Sequence, residues 1–166
     1  YLSNIVECRK VKIWGRSAES VEKYIKDMAS ENWEVKRAIK TDEIAETCDL
    51  IITATPSKMP LLKKDNLKKG TLIIAVGSDS PGKQELDEKI LQDADYIVAD
   101  SIVQCIDRGE ISHGIKNKII DQSDITELGN IIGTDNTVRC GEGQITVADL
   151  TGVAVQDIQI AKAVYE

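Results

Sequence analysis

One short stretch of this sequence, residues 77–83, combines the side chains best suited to moving protons. It reads GSDSPGK and directly follows TLIIAV, an aliphatic run that is typical of a buried strand. A carboxylate such as Asp79 can accept a proton from a bound amine and return it later in a reaction. Gly77 would allow a bound molecule to approach the backbone closely. The alternative interpretation is that Asp79 caps a helix beginning near Gln84 and that the glycines only build a turn.

Glycine and small polar residues also follow other runs that resemble strands. These segments are residues 15–17 (GRS), 55–58 (TPSK) and 100–101 (DS). In open parallel sheets, ligands bind beyond the carboxyl ends of the strands. We therefore expect these segments and residues 77–83 to lie at one edge of a sheet, where they could surround a ligand.

The elements that would position these residues alternate along the chain. Strands are predicted at residues 10–14, 34–39, 49–55, 71–76, 96–100 and 144–149, and helices at residues 17–32, 41–48, 84–94, 101–109, 124–133 and 152–166. Gly133 is the predicted stop of the helix at residues 124–133. Short strands that alternate with helices indicate parallel βαβ units. The predicted fold class is therefore α/β, a doubly wound, mostly parallel sheet in one domain, with residues 152–166 as its closing helix.

Composition and charge exclude several classes of partner. The 166 residues carry a net charge of −7 and are 42% hydrophobic, which is typical of a soluble globular domain and argues against nucleic-acid or acidic-membrane binding. No apolar run approaches the roughly 18 residues of a membrane span. The four cysteines, Cys8, Cys48, Cys105 and Cys140, and the single His113 show no metal-ligand spacing, and free thiols fit the reducing cytoplasm. His113 is predicted to be a surface or loop histidine rather than a catalyst.

Six motifs resemble those of a known family. The sequence is similar to the dinucleotide-binding domain of the ornithine cyclodeaminase/mu-crystallin family in VKIWGRS, DLIITATPSKMPLL, LKKGTLIIAVGSDSPGKQELD, DADYIVADS, ELGNIIG and ITVADLTGVAVQDI. The resemblance covers nearly the whole chain, and AVGSDSPGKQELD together with TGVAVQD is its most specific part. It implies that residues 1–166 form a Rossmann-like NAD(P)-binding domain.

The resemblance also implies which residues take part in binding and chemistry. Asp79 corresponds to the acid/base carboxylate of the cyclodeaminase branch, and Lys83 would face the cofactor or the substrate. Gly77 would approach the nicotinamide end of the cofactor, with the loop at residues 151–152 beside it. The implied cofactor-binding residues are Gly15, Arg16, Ser17, Thr53, Ala54, Thr55, Val76, Gly77, Lys83, Thr151 and Gly152.

The segment WGRS bears on the choice between NADP(H) and NAD(H). An acidic residue at the end of the second Rossmann strand binds the ribose 2′-hydroxyl of NAD, whereas an arginine there can pair with a 2′-phosphate. Residues 15–17 contain Arg16 and no carboxylate, so NADP(H) is favoured, with NAD(H) as the alternative. In the simpler interpretation, Arg16 is a surface arginine and Ser17 only caps the next helix.

Two classes of function follow from the resemblance. The first is an NAD(P)-dependent enzyme that acts on an amino acid or a cyclic imine, either as an ornithine cyclodeaminase or as an alanine dehydrogenase. Ketimine reductase activity is a further alternative, which the presence of Asp79 disfavours. The second class is a non-catalytic module that binds NADP(H) or a partner chain, as in mu-crystallin.

One feature expected of such a domain is absent from the sequence. No G-x-G-x-x-G or G-x-G-x-Q-A-like loop precedes VKIWGRS. The chain is therefore predicted to begin just past the phosphate-binding turn, without the first strand of the sheet or the preceding substrate domain. Because unpaired strand edges would follow, we expect a homodimer or a higher oligomer, and weak cofactor binding by this chain alone.

Overall fold

The computed structural model describes residues 4–29, 32–132 and 141–165, which contain nine strands and six helices. The strands are β1 (Lys10–Ile13), β2 (Glu34–Arg37), β3 (Leu50–Thr53), β4 (Lys58–Leu62), β5 (Leu72–Ala75), β6 (Gln84–Leu86), β7 (Tyr96–Ala99), β8 (Ile125–Glu127) and β9 (Thr146–Asp149). The helices are α1 (Ala18–Met28), α2 (Thr41–Thr47), α3 (Lys89–Asp93), α4 (Ile102–Asp107), α5 (Glu110–Lys116) and α6 (Ala154–Tyr165). Short 3₁₀ turns lie at Lys64–Asn66, Gln122–Asp124 and Leu128–Asn130.

Five strands form the central sheet, and all of their pairings are parallel. The order is β3–β5–β9–β7–β8, so the last strand in the chain lies in the middle. Ile73 of β5 and Ile97 of β7 both pair with Val147 of β9, and all three side chains are buried. Aliphatic runs of this kind are typical of parallel strands that are covered on both faces. The predicted fold class, an α/β Rossmann-like and mostly parallel sheet, is confirmed.

The first two strands form a separate, two-stranded parallel sheet. They pair from Lys10↔Glu34 to Ile13↔Arg37, and α1 connects them. Within the described ranges, neither β1 nor β3 pairs with a second strand on its other side. That a further strand pairs with such an edge stays a prediction.

The helix predicted at residues 84–94 is wrong in its first half. This segment forms β6, and only α3 is helical. Glu85 and Leu86 of β6 are buried, and their N–H groups donate to the carboxylate of Glu110. These tertiary contacts override the helical propensity of the segment.

The sequence pattern does not predict β4, which pairs in parallel with β6, because β4 contains Pro60. The pairing joins Lys58 to Gln84 and Leu62 to Leu86 and is irregular between them. A proline, which has no N–H group, is tolerated where a ladder is irregular. β4 follows β3 and β6 follows β5, so both short strands come after the carboxyl ends of strands of the central sheet.

The helix predicted at residues 124–133 is also wrong. Its first residues form β8, which pairs with β7, and a 3₁₀ turn follows. The β-branched Ile125 and Thr126 favour a strand once a neighbouring strand is available. Gly133, the predicted stop, lies outside the described residues. The helix predicted at residues 101–109 is confirmed by α4, whereas α5 directly after it is not predicted by the pattern.

The predicted C-terminal helix is present as α6. Its residues 157–165 are exposed, including Ile158 and Val164, so the helix covers little of the described domain. The extent of the domain, residues 1–166 with residues 152–166 as a closing helix, stays a prediction. None of the helices in the described part of the chain has the length and apolar character needed to cross a bilayer.

Candidate functional site

Four strands of the central sheet end level with one another. Thr53 of β3 pairs with Ala75 of β5, which pairs with Asp149 of β9, which pairs with Ala99 of β7. The loops that follow these strands therefore start side by side, as the sequence predicts. The structure brings together at this edge Thr53, Ala54, Thr55, Val76, Gly77, Thr151 and Gly152. Their role in cofactor binding stays a prediction.

Gly77 lies where no larger residue would fit. A Cβ at this position would be 2.3 Å from the carbonyl oxygen of Thr55, 2.4 Å from its nitrogen and 2.5 Å from a carboxylate oxygen of Glu85. Two of these atoms are backbone and cannot rotate away. The loop after β5 thus passes in direct contact with the loop after β3, and this contact explains the glycine that follows the strand.

The buried Glu85 connects the same two loops. Its side chain is fully buried; Oε1 accepts a hydrogen bond from Thr55 N (2.6 Å) and Oε2 accepts one from Gly77 N (3.0 Å). Sequence reasoning missed this residue because it assigned Glu85 to a helix. The segment QELD carries no alternation that marks a half-buried strand, because Glu85 and Leu86 are both buried although they lie on opposite faces of β6.

Glu110, the first residue of α5, supports β6 from the other side. Its Oε1 accepts a hydrogen bond from Glu85 N (2.7 Å), and its Oε2 accepts one from Leu86 N (3.0 Å). Burial raises the pKa of Glu110 to about 7, although the two N–H groups and the hydroxyl of Ser78 act to lower it. A buried acid that titrates near neutral pH therefore lies directly behind the carboxyl edge.

Asp149, at the end of β9, is buried against the start of α5. Its Oδ2 accepts a hydrogen bond from Ile111 N (2.9 Å), and a Cβ at Gly109, where φ is +91°, would lie 2.5 Å from this oxygen. Burial raises the pKa of Asp149 to about 8, and the charges of Glu110 and Asp100 add to the rise. Its Oδ1 is buried and has no hydrogen-bond partner within the described ranges. Burial at this position therefore favours the protonated form of Asp149.

Asp79 and Lys83 form an ion pair on the outer side of the loop after β5. Asp79 Oδ1 accepts hydrogen bonds from Lys83 Nζ (2.5 Å) and Ser80 Oγ (2.8 Å). The hydrogen bond from Lys83, and then that from Ser80, lower the pKa of Asp79 below its ordinary value. The alternative in which Asp79 caps a helix near Gln84 is wrong, because that segment is a strand.

The conformation of this loop is held from inside by two side chains. The carbonyl oxygen of Lys83 accepts hydrogen bonds from Ser78 Oγ (2.8 Å) and from His113 Nε2 (2.8 Å). The imidazole must donate, since a carbonyl oxygen can only accept. The prediction of a surface or loop histidine is wrong: His113 lies in α5, is half-buried, and contacts the loop that carries Asp79. The sequence around His113 does not predict this contact, because Lys83 lies 30 residues away along the chain.

Asp100, which follows β7, ties the loop after β9 to the same edge. Its Oδ2 accepts a hydrogen bond from Gly152 N (2.8 Å), and its Oδ1 accepts one from Thr151 Oγ1 (3.2 Å) and one from Ser101 N (2.8 Å). Cys105 lies 3.4 Å from Oδ1, and burial raises the pKa of its thiol to about 12, which excludes a thiolate nucleophile at neutral pH. The sequence marks residues 100–101 as a strand end but gives no role to the Asp100 carboxylate.

The segment WGRS lies at the carboxyl end of the separate β1–β2 sheet. Arg16 is exposed, and Ser17 caps α1 by accepting a hydrogen bond from Ser20 N (3.3 Å). This confirms the capping role of Ser17, while its contact with a cofactor stays a prediction, as do those of Gly15 and Arg16. A groove of about 360 Å³ lies beside this segment, and its lining includes Trp14, Ile39, Lys40, Pro60, Leu61 and Lys63.

The described residues contain no cluster of three or more histidine, cysteine or acidic side chains that could hold a metal ion. The free thiols among them are Cys8, Cys48 and Cys105. Cys140 lies outside the described residues. The chemistry available at the carboxyl edge is thus that of carboxylates, Lys83, His113 and backbone groups.

Known proteins resemble this chain in sequence. A family model described as the ornithine cyclodeaminase/mu-crystallin family matches residues 1–166. The chain is 34% identical over 166 residues to alanine dehydrogenase from Archaeoglobus fulgidus, a match that covers 99% of this chain and 51% of that protein. It is 34% identical over 164 residues to iminosuccinate reductase from Paracoccus denitrificans, covering 99% of this chain and 50% of that protein. The chain thus spans about half the length of these curated relatives.

A solved structure shows the same fold. An archaeal alanine dehydrogenase dimer with bound NAD superposes with a TM-score of 0.91 at 32% identity, and the match covers 99% of this chain and 51% of that chain. The similarity in three dimensions therefore extends over the same part of the chain as the similarity in sequence.

Proposed function

Because the chain belongs to the ornithine cyclodeaminase/mu-crystallin family, we propose that it forms the NAD(P)-binding part of an enzyme that transfers hydride at the α-carbon of an amino acid or a cyclic imine. The observation that carries the proposal is the close contact of Gly77 with Thr55 at the carboxyl edge of the parallel sheet. Alanine and iminosuccinate, the substrates in the names of two relatives, both have a carbon that bears nitrogen next to a carboxylate. We propose the same substrate class for this protein.

The residues at the carboxyl edge fit a dinucleotide. Gly152, where a Cβ would meet no atom within 4 Å, presents open backbone to a ligand that lies along the strand ends, whereas Gly77 allows the close contact between the loops after β3 and β5. The groove beside Trp14 combines an aromatic ring with Lys40 and Lys63, which suits a base next to an anionic group, although the acidic Asp42 also lines it. The groove lies beside the β1–β2 sheet and the two glycines lie at the carboxyl edge of the central sheet, so the proposed cofactor would contact both sheets.

Asp79 is the residue that we propose to move protons. A bound nicotinamide supplies the hydride acceptor or donor. The Asp79 side chain is 51% exposed, and the hydrogen bond from Lys83 keeps its pKa below the ordinary value, so the carboxylate is ionised and open to a substrate amine. It can accept a proton from that amine and return it in the reverse direction.

We further propose that NADP(H) is preferred over NAD(H). Arg16 is exposed in the loop between β1 and α1, and a guanidinium binds a phosphate through paired donors. The solved relative has NAD bound, which shows that the fold itself accepts a cofactor without the 2′-phosphate. The preference therefore rests on Arg16 alone.

We also propose that the protein is a cytoplasmic homodimer or higher oligomer that binds neither nucleic acid nor membranes. A relative of the same fold is a dimer. Ile158 and Val164 of α6 are exposed, and a partner that covered them would remove apolar surface from water. The free thiols Cys8, Cys48 and Cys105 suit a reducing compartment.

The test is turnover by the full-length protein and its Asp79→Asn variant. Assays with alanine, iminosuccinate and ornithine, each with NAD(P)⁺ or NAD(P)H, separate oxidative deamination, imine reduction and cyclodeamination by their products. We expect Asp79→Asn to lower kcat by about 10²-fold or more, with the cofactor Kd changed by less than about twofold. Equal turnover by both proteins would exclude Asp79 as the acid/base residue. Cofactor binding without turnover would favour the mu-crystallin-like, non-catalytic function.

A further inference from the structure

We propose that Glu85 is a positioning residue, whose carboxylate sets the spacing between the loops that follow β3 and β5, and that Glu110 fixes Glu85 in place. The inference rests on the proposed function in one respect, namely that these two loops line the cofactor site. Nothing in the similarity to known proteins assigns a role to either glutamate.

The β3–β5 ladder changes its hydrogen-bond acceptors just past the carboxyl ends of the two strands. A backbone hydrogen bond from Val76 N to Thr53 O (2.9 Å) extends the β3–β5 ladder one step past the strands. At the next step, the N–H groups of Thr55 and Gly77 donate to the two oxygens of Glu85 instead (2.6 and 3.0 Å). A single rigid carboxylate thus fixes two loop backbones relative to each other.

A carboxylate suits the position of Glu85 better than a neutral side chain does. Both oxygens of Glu85 face donors, and a buried charge is tolerated only where hydrogen bonds satisfy it. A glutamine would place its NH₂ group against one of the two N–H groups, so that one donor would lose its partner. There is no room for a replacement water, because Glu85 is fully buried and a Cβ on Gly77 would already lie 2.5 Å from its Oε2.

The backbone on either side of the Glu85 side chain is itself held by Glu110. The N–H groups of Glu85 and Leu86 donate to the two oxygens of Glu110, which repeats the same arrangement one layer deeper. β6 is only three residues long, and this second carboxylate fixes its backbone. The two glutamates therefore act in series, from α5 through β6 to the loops at the carboxyl edge.

The spacing between the two loops should affect cofactor binding and catalysis. The two loops carry the predicted cofactor contacts between residues 54 and 83, together with Asp79, and Thr53 lies at the end of β3 beside them. Reacting groups that are misplaced by about 1 Å cost on the order of 10²-fold in rate. Loss of one Glu85 hydrogen bond would shift the loops relative to each other, and catalysis would suffer more than folding.

The experiment compares Glu85→Gln with Thr71→Val in the full-length protein. Thr71 is equally buried but lies at the opposite end of β5, where its hydroxyl donates to Cys48 O (3.2 Å) and Lys68 O (2.7 Å). Both variants lose buried hydrogen bonds, and Tm measures the loss of stability in each. We expect Glu85→Gln to raise the NADH Kd about tenfold and to lower kcat about 10²-fold. Thr71→Val should lower Tm by a similar amount to Glu85→Gln, but should change the NADH Kd and kcat by less than about twofold.

A second readout does not depend on the cofactor. Hydrogen exchange at the amides of Thr55 and Gly77 should become faster in Glu85→Gln and stay unchanged in Thr71→Val. If Glu85→Gln does not fold, Glu110→Gln should produce the same changes in smaller measure. A normal Kd, kcat and amide protection in a folded Glu85 variant, with only Tm lowered, would overturn the inference. If the wild-type protein binds neither NADH nor NADPH, the proposed function fails, and exchange at Thr55 and Gly77 still tests Glu85.

Discussion

Lys83 Nζ lies 2.5 Å from Asp79 Oδ1, so the one exposed carboxylate of the loop after β5 carries its own counter-ion. The hydrogen bond from Lys83 is the main cause of the lowered pKa of Asp79. Lys83, four residues along the chain, thus keeps the half-exposed carboxylate ionised and controls how readily Asp79 accepts a proton.

Replacement of Lys83 by methionine should therefore change how activity depends on pH. Without the donated hydrogen bond, the pKa of Asp79 rises toward its ordinary value, and the acidic limb of kcat/KM moves to higher pH. The pH–rate profile measures this directly. The matched control is Lys89→Met, which removes the charge of an exposed lysine in α3 and should leave the limb in place. A limb that is identical in Lys83→Met and wild type would contradict the role of the ion pair.

Gly77→Ala should disrupt the carboxyl edge. The added Cβ would lie 2.3 to 2.5 Å from atoms of Thr55 and Glu85, so the two loops must separate. Overpacking of this kind costs about 1–3 kcal/mol of unfolding free energy. Urea denaturation measures that loss, and we expect cofactor binding by the folded variant to weaken as well.

The control for this substitution is Gly129→Ala, since a Cβ at Gly129 has no atom within 4 Å. The unfolding free energy of this variant should stay within about 0.5 kcal/mol of wild type. Equal stability and equal cofactor affinity in Gly77→Ala and Gly129→Ala would show that the contact between the two loops is not as close as described here.

Part of this architecture is predictable from sequence. β3, β5, β7 and β9 are aliphatic runs buried in a parallel sheet, and the hydrophobic pattern predicts them without reference to the rest of the chain. The segment QEL differs, because its strand conformation depends on Glu110, which lies 25 residues from Glu85 along the chain. A local pattern cannot encode such a contact.

The candidate site divides in the same way. Gly77, Asp79 and the loop at residues 151–152 are found from motifs at strand ends. The carboxylates behind them are not, because Asp149 contacts Ile111 across 38 residues and Asp100 contacts Gly152 across 52. The crossover connections between parallel strands bring these residues together, so their contacts can be predicted only when the strand order is known.

The stability of the protein should fall as pH rises. Burial raises the pKa of Glu110 from 4.5 to about 7 and that of Asp149 from 3.8 to about 8. From about pH 4 to about pH 8 the folded state holds protons that the unfolded state has lost, so the contribution of these two groups to the unfolding free energy is complete below about pH 4 and decreases as the pH rises to about 8. The loss from Glu110 alone is about 3 kcal/mol.

Urea denaturation at pH 5, 7 and 9 (roughly the range of these titrations) measures this fall. In Asp149→Asn, one buried titrating group is removed while an acceptor for Ile111 N is kept, and the fall should be smaller. Asp27→Asn, which changes an exposed acid of α1, should leave the slope as in wild type. Stability that rises steadily from pH 5 to pH 9 in wild type would show that the two acids are not buried as described.

Arg16→Ala should weaken the binding of NADPH more than the binding of NADH. Loss of a guanidinium–phosphate pair should raise the NADPH Kd about tenfold and leave the NADH Kd nearly unchanged. Fluorescence of Trp14, in the groove beside this segment, follows both titrations. Lys23→Ala removes an exposed positive charge from α1, the helix that follows Arg16, and serves as the control. An equal effect on both cofactors, or none on either, would contradict the preference for NADP(H).

The most direct measurement of the central claim is hydrogen exchange of the full-length protein with and without saturating NADPH. The account predicts that NADPH slows exchange in peptides that cover residues 53–57, 76–83 and 150–152, the loops at the carboxyl edge. Peptides from residues 68–72, at the opposite end of the sheet, should exchange as before. Protection confined to other parts of the chain, or no protection by NADPH or NADH, would contradict a dinucleotide site at this edge.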